Sequence, residues 1–221
     1  MSHVVVERQI GDRTLRIETG KWARLADASV FVTYAETTVL AAVVRGDPRE
    51  GIDFFPLQID YRERTSAAGK FPGGFRKREG APSSKEVLTM RLIDRPLRPL
   101  FPKGLYDEVL VQCWVESADG QNEPDVVAGT AAAAAVAISS IPHDGPLATV
   151  RVGRIDGQFV IFPTAAQMEY SDVDLVLSGH REGVNMIEVG ASEVEEQVVL
   201  DAIKFGHEHI LQVLDAIDEL I

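Results

Sequence analysis

Phe75-Arg76-Lys77-Arg78 sets an aromatic ring beside three cations, inside a stretch from Thr65 to Pro82 punctuated by Gly69, Pro72, Gly73, Gly74, Gly80 and Pro82. A ring face on which a base can stack, and cations that follow a phosphate backbone, are what single-stranded nucleic acid requires of a protein. Arg91, Arg95 and Arg98 recur at spacings of four and three. The first two share a helical face and the third continues near it, placed either to hold backbone phosphates or a domain interface, or to pair with carboxylates such as Asp94. Asp172 and Asp174 stand two apart at the start of a strand-like run, so both side chains are expected on one side. Such a pair can hold Mg²⁺ or simply face solvent. His207 and His209 diverge on a helix, unlike the i, i+4 pair of a helical zinc site, and no metal is assigned to them. Cys113 lies in an apolar run and reads as a packed small hydrophobe. No Ser-His-Asp arrangement, P-loop or dinucleotide fingerprint is present.

Those residues sit in a chain of 221 residues that is 45% hydrophobic and 25% charged, with a formal charge of −12. That composition suits a globular protein able to bury a substantial core. A single cysteine excludes an internal disulfide framework and a multi-cysteine metal site, and fits a reducing, cytoplasmic setting. Met1 to Ile10 has no basic segment followed by an apolar run, and no stretch approaches the roughly 18 apolar residues of a membrane span. Neither secretion nor a membrane partner is expected. An acidic total argues against a polyanionic partner until the charge is mapped. From Arg62 to Lys103 there are eleven basic residues and four acids, so this window carries +7 and the remainder −19. Seven of the eleven are arginines, whose planar fork grips phosphate oxygens in pairs. One face is therefore expected to meet a polyanion while the rest keeps the molecule dispersed by repulsion.

The elements that must position these residues alternate between strand and helix patterns. VVVERQI, TLRIETG, SVFVTYAETTVLAAVV and IDFFPLQIDYRE are rich in β-branched and aromatic residues, and predict an antiparallel sheet of hairpins from Val4 to about Ile59. Thr65 to Pro82 then predicts a loop without regular structure, of a length that is usually functional. Ser83 with Glu86 forms a capping box, opening a helix that Pro96 is expected to end. Glu108 to Ser117 predicts a strand and Val126 to Ile138 a small-residue helix able to approach a sheet closely. A hairpin about Asp156-Gly157, two further strands (DVDLVLSG and GVNMIEVG) and one amphipathic helix from Glu193 to Ile221 complete the chain. The fold class is α+β, with two or three helices packed on the strands, and residues 1–221 are read as a single domain. The end at Leu220-Ile221, with no glycine cap or polar tail, leads us to expect a longer natural polypeptide.

The run FPLQIDYRERTSAAGKFPGGFRKREGAPSSKEVLTMRLIDRPLRPLFPKG, Phe55 to Gly104, strongly resembles polynucleotide phosphorylases in their first RNase PH-like core domain, and the likeness extends over essentially the whole chain. The resemblance implies an RNase PH-like fold. It further implies a parent enzyme in which phosphate attacks the 3′ end of RNA and releases nucleoside diphosphates, with Mg²⁺, in mRNA degradation. It implies homotrimeric rings, a second core domain in the same parent chain, an all-helical segment toward which residues 193–221 lead, and RNA-degradation complex proteins as partners. In this family the chemistry belongs mainly to the second core domain. Where that domain carries a phosphate-binding serine run, this chain has Gly120-Gln121-Asn122-Glu123, and a glutamate there would repel phosphate. Of the two essential aspartates of the active domain, the later falls on Asp172 and the earlier on Ala166. The resemblance thus implies RNA contact by Phe75, Arg76, Lys77, Arg78, Arg91, Arg95 and Arg98, a remnant at Asp172, and no catalytic residue and no firmly bound metal in this domain. The family's channel loop is usually Phe-Phe-Arg-Arg, so one stacking ring is exchanged here for a cation, and capture of RNA should depend more on salt. A self-sufficient RNase PH-type nuclease and a catalytically silent subunit of an exosome-like ring are the two alternatives.

Overall fold

Runs of β-branched residues pair off along the first third of the chain, each joined to the next by a tight turn. In the computed structural model, which describes residues 2–221, these are β1 (Val4–Ile10), β2 (Arg13–Thr19), β3 (Ala28–Tyr34) and β4 (Thr37–Gly46), antiparallel in sequence order. Gly11 and Ala35 take positive φ in two of the turns, the left-handed conformation that a short hairpin turn requires. β5 (Leu57–Glu63) and β6 (Glu108–Ser117) complete a six-stranded sheet of order β1-β2-β3-β4-β6-β5. β5 departs from the series of antiparallel hairpins read for this stretch, because it lies parallel to β6 and makes the sheet mixed. A parallel partner needs a crossover, and the long connection that supplies it carries the basic loop and α1 (Ser84–Leu97).

The second half builds a four-stranded sheet of order β10-β9-β7-β8 from β7 (Ala148–Ile155), β8 (Gln158–Ile161), β9 (Val173–His180) and β10 (Gly183–Ala191). Asp156 and Gly157, both at positive φ, turn the β7–β8 hairpin. Between the sheets runs α2 (Pro124–Ala137), packed on β3 and β4 of one and β7 of the other. Every one of its residues is buried, which explains its alanine content: only small side chains let a backbone lie between two sheets. Gly129 marks the tightest point, where an added Cβ would stand 2.7 Å from the Thr149 hydroxyl. α4 (Glu196–Leu220) shows one apolar stripe, Ala202, Ile210, Val213, Leu214 and Ile217, and lays it across β7, β9 and β1. One continuous hydrophobic cluster runs through both sheets and these helices.

Several boundaries differ from those expected. Pro96 does not end its helix; it sits buried in the last turn, where its missing N–H forfeits one i→i−4 bond, and a 3₁₀ turn, Arg98–Leu100, follows. The glycine-rich stretch begins with a 3₁₀ turn, Thr65–Ala68, closed by Gly69 at φ +67°. A one-turn helix, α3 (Ala165–Met168), capped by Thr164, was not expected. The last helix starts at Glu196, not Glu193, because Glu193 is at φ +52°. Among the described residues no helix is long and apolar enough to cross a membrane.

Candidate nucleic-acid interface and the cleft beside it

The basic loop hangs from a fixed root. At its start the amide and hydroxyl of Thr65 both donate to the Glu79 carboxylate, at 2.9 and 2.7 Å, so residues fourteen apart are clasped together. Those two hydrogen bonds hold Glu79 below the ordinary carboxylate pKa, so it is charged at neutral pH. Ala118 N–H reaches back to the Ala67 carbonyl at 3.1 Å and ties the 3₁₀ turn to the end of β6. Arg64 lies 4.6 Å over the Trp114 ring. On the far side, the expected capping box is formed: Ser83 accepts from Glu86 N–H, and the Glu86 carboxylate accepts from Ser83 N–H and also from Glu63 N–H of β5. Burial raises the pKa of Glu86, but those backbone donors outweigh it and keep the group below its ordinary value.

Beyond this root the loop is open. Phe75, Arg76, Lys77 and Arg78 are exposed and, among the described residues, the three cations form no ion pair. Gly74 at φ +80° and Lys77 at φ +46° bend the tip into a turn that aims these side chains outward. Sequence reasoning counted Lys70 in the basic window but passed over Phe71 on the same loop, although an aromatic lodged between a lysine and a proline was there to be read.

The three helical arginines separate. Arg91 is exposed and unpaired among the described residues, whereas Arg95 is bonded to Glu188 on β10. The Arg98 guanidinium is already engaged within the chain, which weighs against its expected contact with RNA. It donates to both Asp94 oxygens (2.9 and 2.6 Å) and to the Phe55 and Leu57 carbonyls (both 3.1 Å), pinning the end of α1 to the start of β5.

The start of α1 also lines a cleft of about 690 Å³, bounded by Lys85, Leu88 and Leu92, by Glu123 and Asp125 at the head of α2, by Arg151 on β7, and by Asp174 and Glu188 on the neighbouring strands. Its charges answer one another. Lys85 bonds Glu123 at 2.9 Å and Glu63 at 3.1 Å. Burial works against the Lys85 charge, yet these carboxylates hold its pKa above the ordinary lysine value. Arg151 stands 3.2 Å from both Asp125 and Asp174. Asp125 is buried, and burial pushes its pKa up despite the opposing pull of Arg151. Ahead of α2, the amides of Gln121 and Asn122, which could have met an anion, both donate at 2.7 Å to the carboxylate of Asp119. Burial raises the Asp119 pKa, and these hydrogen bonds from the backbone more than offset it. α3, which carries Ala166, is tied to the same turn by Ala165 N–H donating to the Gln121 carbonyl at 2.8 Å.

Asp172 and Asp174 do not act as a pair. Asp174 faces the cleft and Arg151, while Asp172 bonds Arg154 at 2.9 Å; Arg151 and Arg154, three apart on β7, leave on opposite faces. The expected shared side fails because Asp172 precedes β9 and is not held to its alternation. Each carboxylate is neutralised by its own arginine, and among the described residues no group of three or more His, Cys, Asp or Glu side chains could hold a metal ion. Arg151 and Arg154 compete for the oxygens that Mg²⁺ would take from these carboxylates. His207 and His209 each bond a backbone carbonyl, of His180 and Phe205. Cys113 is fully buried, its thiol pushed up to about 12 by burial, and so is unreactive.

Comparison with known proteins follows the same division into two sheets. The sequence model of the 3′ exoribonuclease family, domain 1, matches residues 11–142, and that of domain 2 of the same family matches residues 145–209. The chain belongs to the 3′ exoribonuclease family. Polyribonucleotide nucleotidyltransferases are its relatives: that of Rhodopirellula baltica is 55% identical over 98% of this chain, that of Rhodospirillum centenum 53% over 97%, and that of Acidobacterium capsulatum 49% over 100%. The chain spans only 29%, 30% and 27% of those proteins, and it matches their N-terminal part. Among solved structures, rice (Oryza sativa) Rrp46 superposes with a TM-score of 0.77 over 96% of both chains, at 15% identity, a likeness of fold. Within this family fold, the 3′ exoribonuclease core has here an open basic loop and an internally neutralised cleft.

Proposed function

We propose that this chain is the RNA-guiding, ring-forming first core domain of a phosphorolytic 3′→5′ exoribonuclease, in which RNA and phosphate are exchanged for shortened RNA and nucleoside diphosphates. The parent enzyme is Mg²⁺-dependent, homotrimeric and cytoplasmic, and acts in mRNA degradation with RNA-degradation complex proteins. Phosphorolysis takes place in the second core domain. The observation that carries this reading is the loop from Lys70 to Arg78, whose cations, among the described residues, are left without carboxylate partners in a chain of net charge −12. Cations kept free in so acidic a molecule are reserved for an external anion. Phe75 adds the ring that an unpaired base requires, and Arg91 extends the positive surface along α1.

The cleft supports placing the chemistry elsewhere. Phosphoryl transfer needs an anion held in place and its developing charge neutralised. Here Lys85 and Arg151 already serve Glu123, Asp125 and Asp174, and Asp119 takes the amides ahead of α2. That internal neutralisation weighs against a self-sufficient nuclease, and it equally favours a second reading, a silent structural subunit of a ring.

The test is to titrate the chain with a 3′-unstructured oligoadenylate over a salt series by anisotropy, assaying ADP in the same samples with phosphate and Mg²⁺. The expected result is binding that weakens with salt and no ADP. Replacing Arg76, Lys77 and Arg78 with Ala should weaken binding and reduce the salt slope by about 2, since each phosphate contact to a single strand contributes about 0.7. ADP formed in proportion to the chain would overturn the assignment of chemistry to another domain, and absence of RNA binding would favour the silent subunit.

A further inference from the structure

Two phenyl rings on the basic loop touch nothing. Phe71 is 93% exposed and Phe75 103%. Several other rings pair, Phe55 with Phe101 at 4.8 Å, Phe162 with Tyr34 at 4.7 Å and Phe159 with Phe205 at 5.6 Å, although Phe54 and Tyr170 are exposed as well. An isolated exposed ring is common on protein surfaces and means little alone. These two share a nine-residue stretch with Lys70, Arg76, Lys77 and Arg78, and among the described residues none of the four cations forms an ion pair.

The backbone sets the rings on two arms of one bend. Pro72 restricts Phe71 to extended conformations. Gly73 and Gly74 have open space around them, and Gly74 at φ +80° begins the turn that carries Phe75. Four residues of chain separate the two Cα atoms by at most about 14 Å, a span that a few successive nucleotides of a single strand can bridge. The clasp of Thr65 by Glu79 fixes the root, so the tip presents both rings together with the cations.

We propose that Phe71 is a second base-stacking ring, acting with Phe75 so that the loop takes two unpaired bases while the cations follow the phosphates between them. The ligand class is a single strand with accessible bases, of any sequence, because every base has a π face. The inference rests on the reading of this loop as an RNA contact.

The experiment compares an oligoadenylate with an abasic ribose-phosphate oligomer of equal length, over the same salt series, by anisotropy. Phe71→Ala should bind oligoadenylate about tenfold more weakly and the abasic oligomer as well as the wild type does, with an unchanged salt slope. Phe71→Trp should restore affinity, and its indole fluorescence should be quenched as bases stack. Equal affinity of Phe71→Ala and wild type for oligoadenylate overturns the proposal, as does an equal loss on both oligomers, which would indicate a distorted loop. The Arg76, Lys77 and Arg78 alanine variant separates the two levels. If it weakens both oligomers while Phe71→Ala is silent, only the second ring falls. If the wild-type chain binds neither oligomer, the RNA reading falls and the ring with it; retention of the ring's effect only toward a protein ligand would likewise overturn it.

Discussion

Arginine does three different jobs here, and the neighbours of each guanidinium decide which. Arg76 and Arg78 face water with no carboxylate partner among the described residues, Arg98 is locked onto Asp94 and two carbonyls, and Arg151 stands between two acids in a cleft. The last case has a definite consequence for stability. Arg151→Met would leave Asp125 buried without its counter-charge, a change that costs roughly 3–5 kcal/mol. Asp125 already has a raised pKa in the folded state, mainly through burial, and loss of Arg151 raises it further. A raised folded-state pKa favours folding at low pH and is a liability above it. The deficit of Arg151→Met should therefore be largest near neutral pH and shrink as pH falls through the carboxylate range, as urea unfolding at pH 8 and pH 5 would measure. A deficit independent of pH would show that Arg151 acts through packing alone. None of this could be read from residue types, since Asp125 is 26 residues from Arg151 and the pair exists only once α2 lies on β7.

At the scale of elements, the loop and its helix show where sequence patterns suffice. The basic loop was legible because glycine, proline and cation content are local properties, and the capping box because Ser83 and Glu86 are three residues apart. The pairing of Arg98 with Asp94, four residues back, was legible, but its bonds to the Phe55 and Leu57 carbonyls, 43 and 41 residues away, and the bond of Glu79 to Thr65, 14 away, were not, because they exist only once α1 lies on β5 and the loop closes on its root. Asp172 and Asp174 misled for a related reason: two-residue periodicity holds inside a strand, and Asp172 is outside one. Glu79 gives a test at this scale. Glu79→Ala should raise amide exchange across residues 65–79 while leaving the melting temperature of the whole nearly unchanged, because the clasp is exposed and the core does not depend on it. Since its hydrogen bonds depress the Glu79 pKa, the clasp contributes above the ordinary carboxylate range and is lost as pH falls through the depressed value. Exchange rates in the loop that ignore both the substitution and acid would sink this account of how the tip is held.

Across the whole molecule, charge and architecture are arranged separately. The +7 window from Arg62 to Lys103 runs from the end of β5 through the loop and α1 at one edge of the larger sheet, while the remaining −19 is spread over the rest. Such segregation orients an approaching polyanion toward the loop before any contact forms. The core is arranged differently: it ignores the boundary between the two matched parts of the family. α2 belongs to the first part, yet Thr130 donates to the Thr149 carbonyl at 3.0 Å, and Thr149 in turn meets the Ser178 hydroxyl at 2.8 Å on β9. This thread of buried hydroxyls runs from helix to sheet across the boundary near residue 143. Synthesis order then matters. As the chain leaves the ribosome, the first sheet and α2 emerge before the strands that cover them, so the nascent protein must carry an apolar helix with one bare side until β7 and β9 arrive. A fragment ending at residue 142 reproduces that moment and should bind hydrophobic dyes and aggregate, with solubility returning when residues 145–221 are supplied in the same cell.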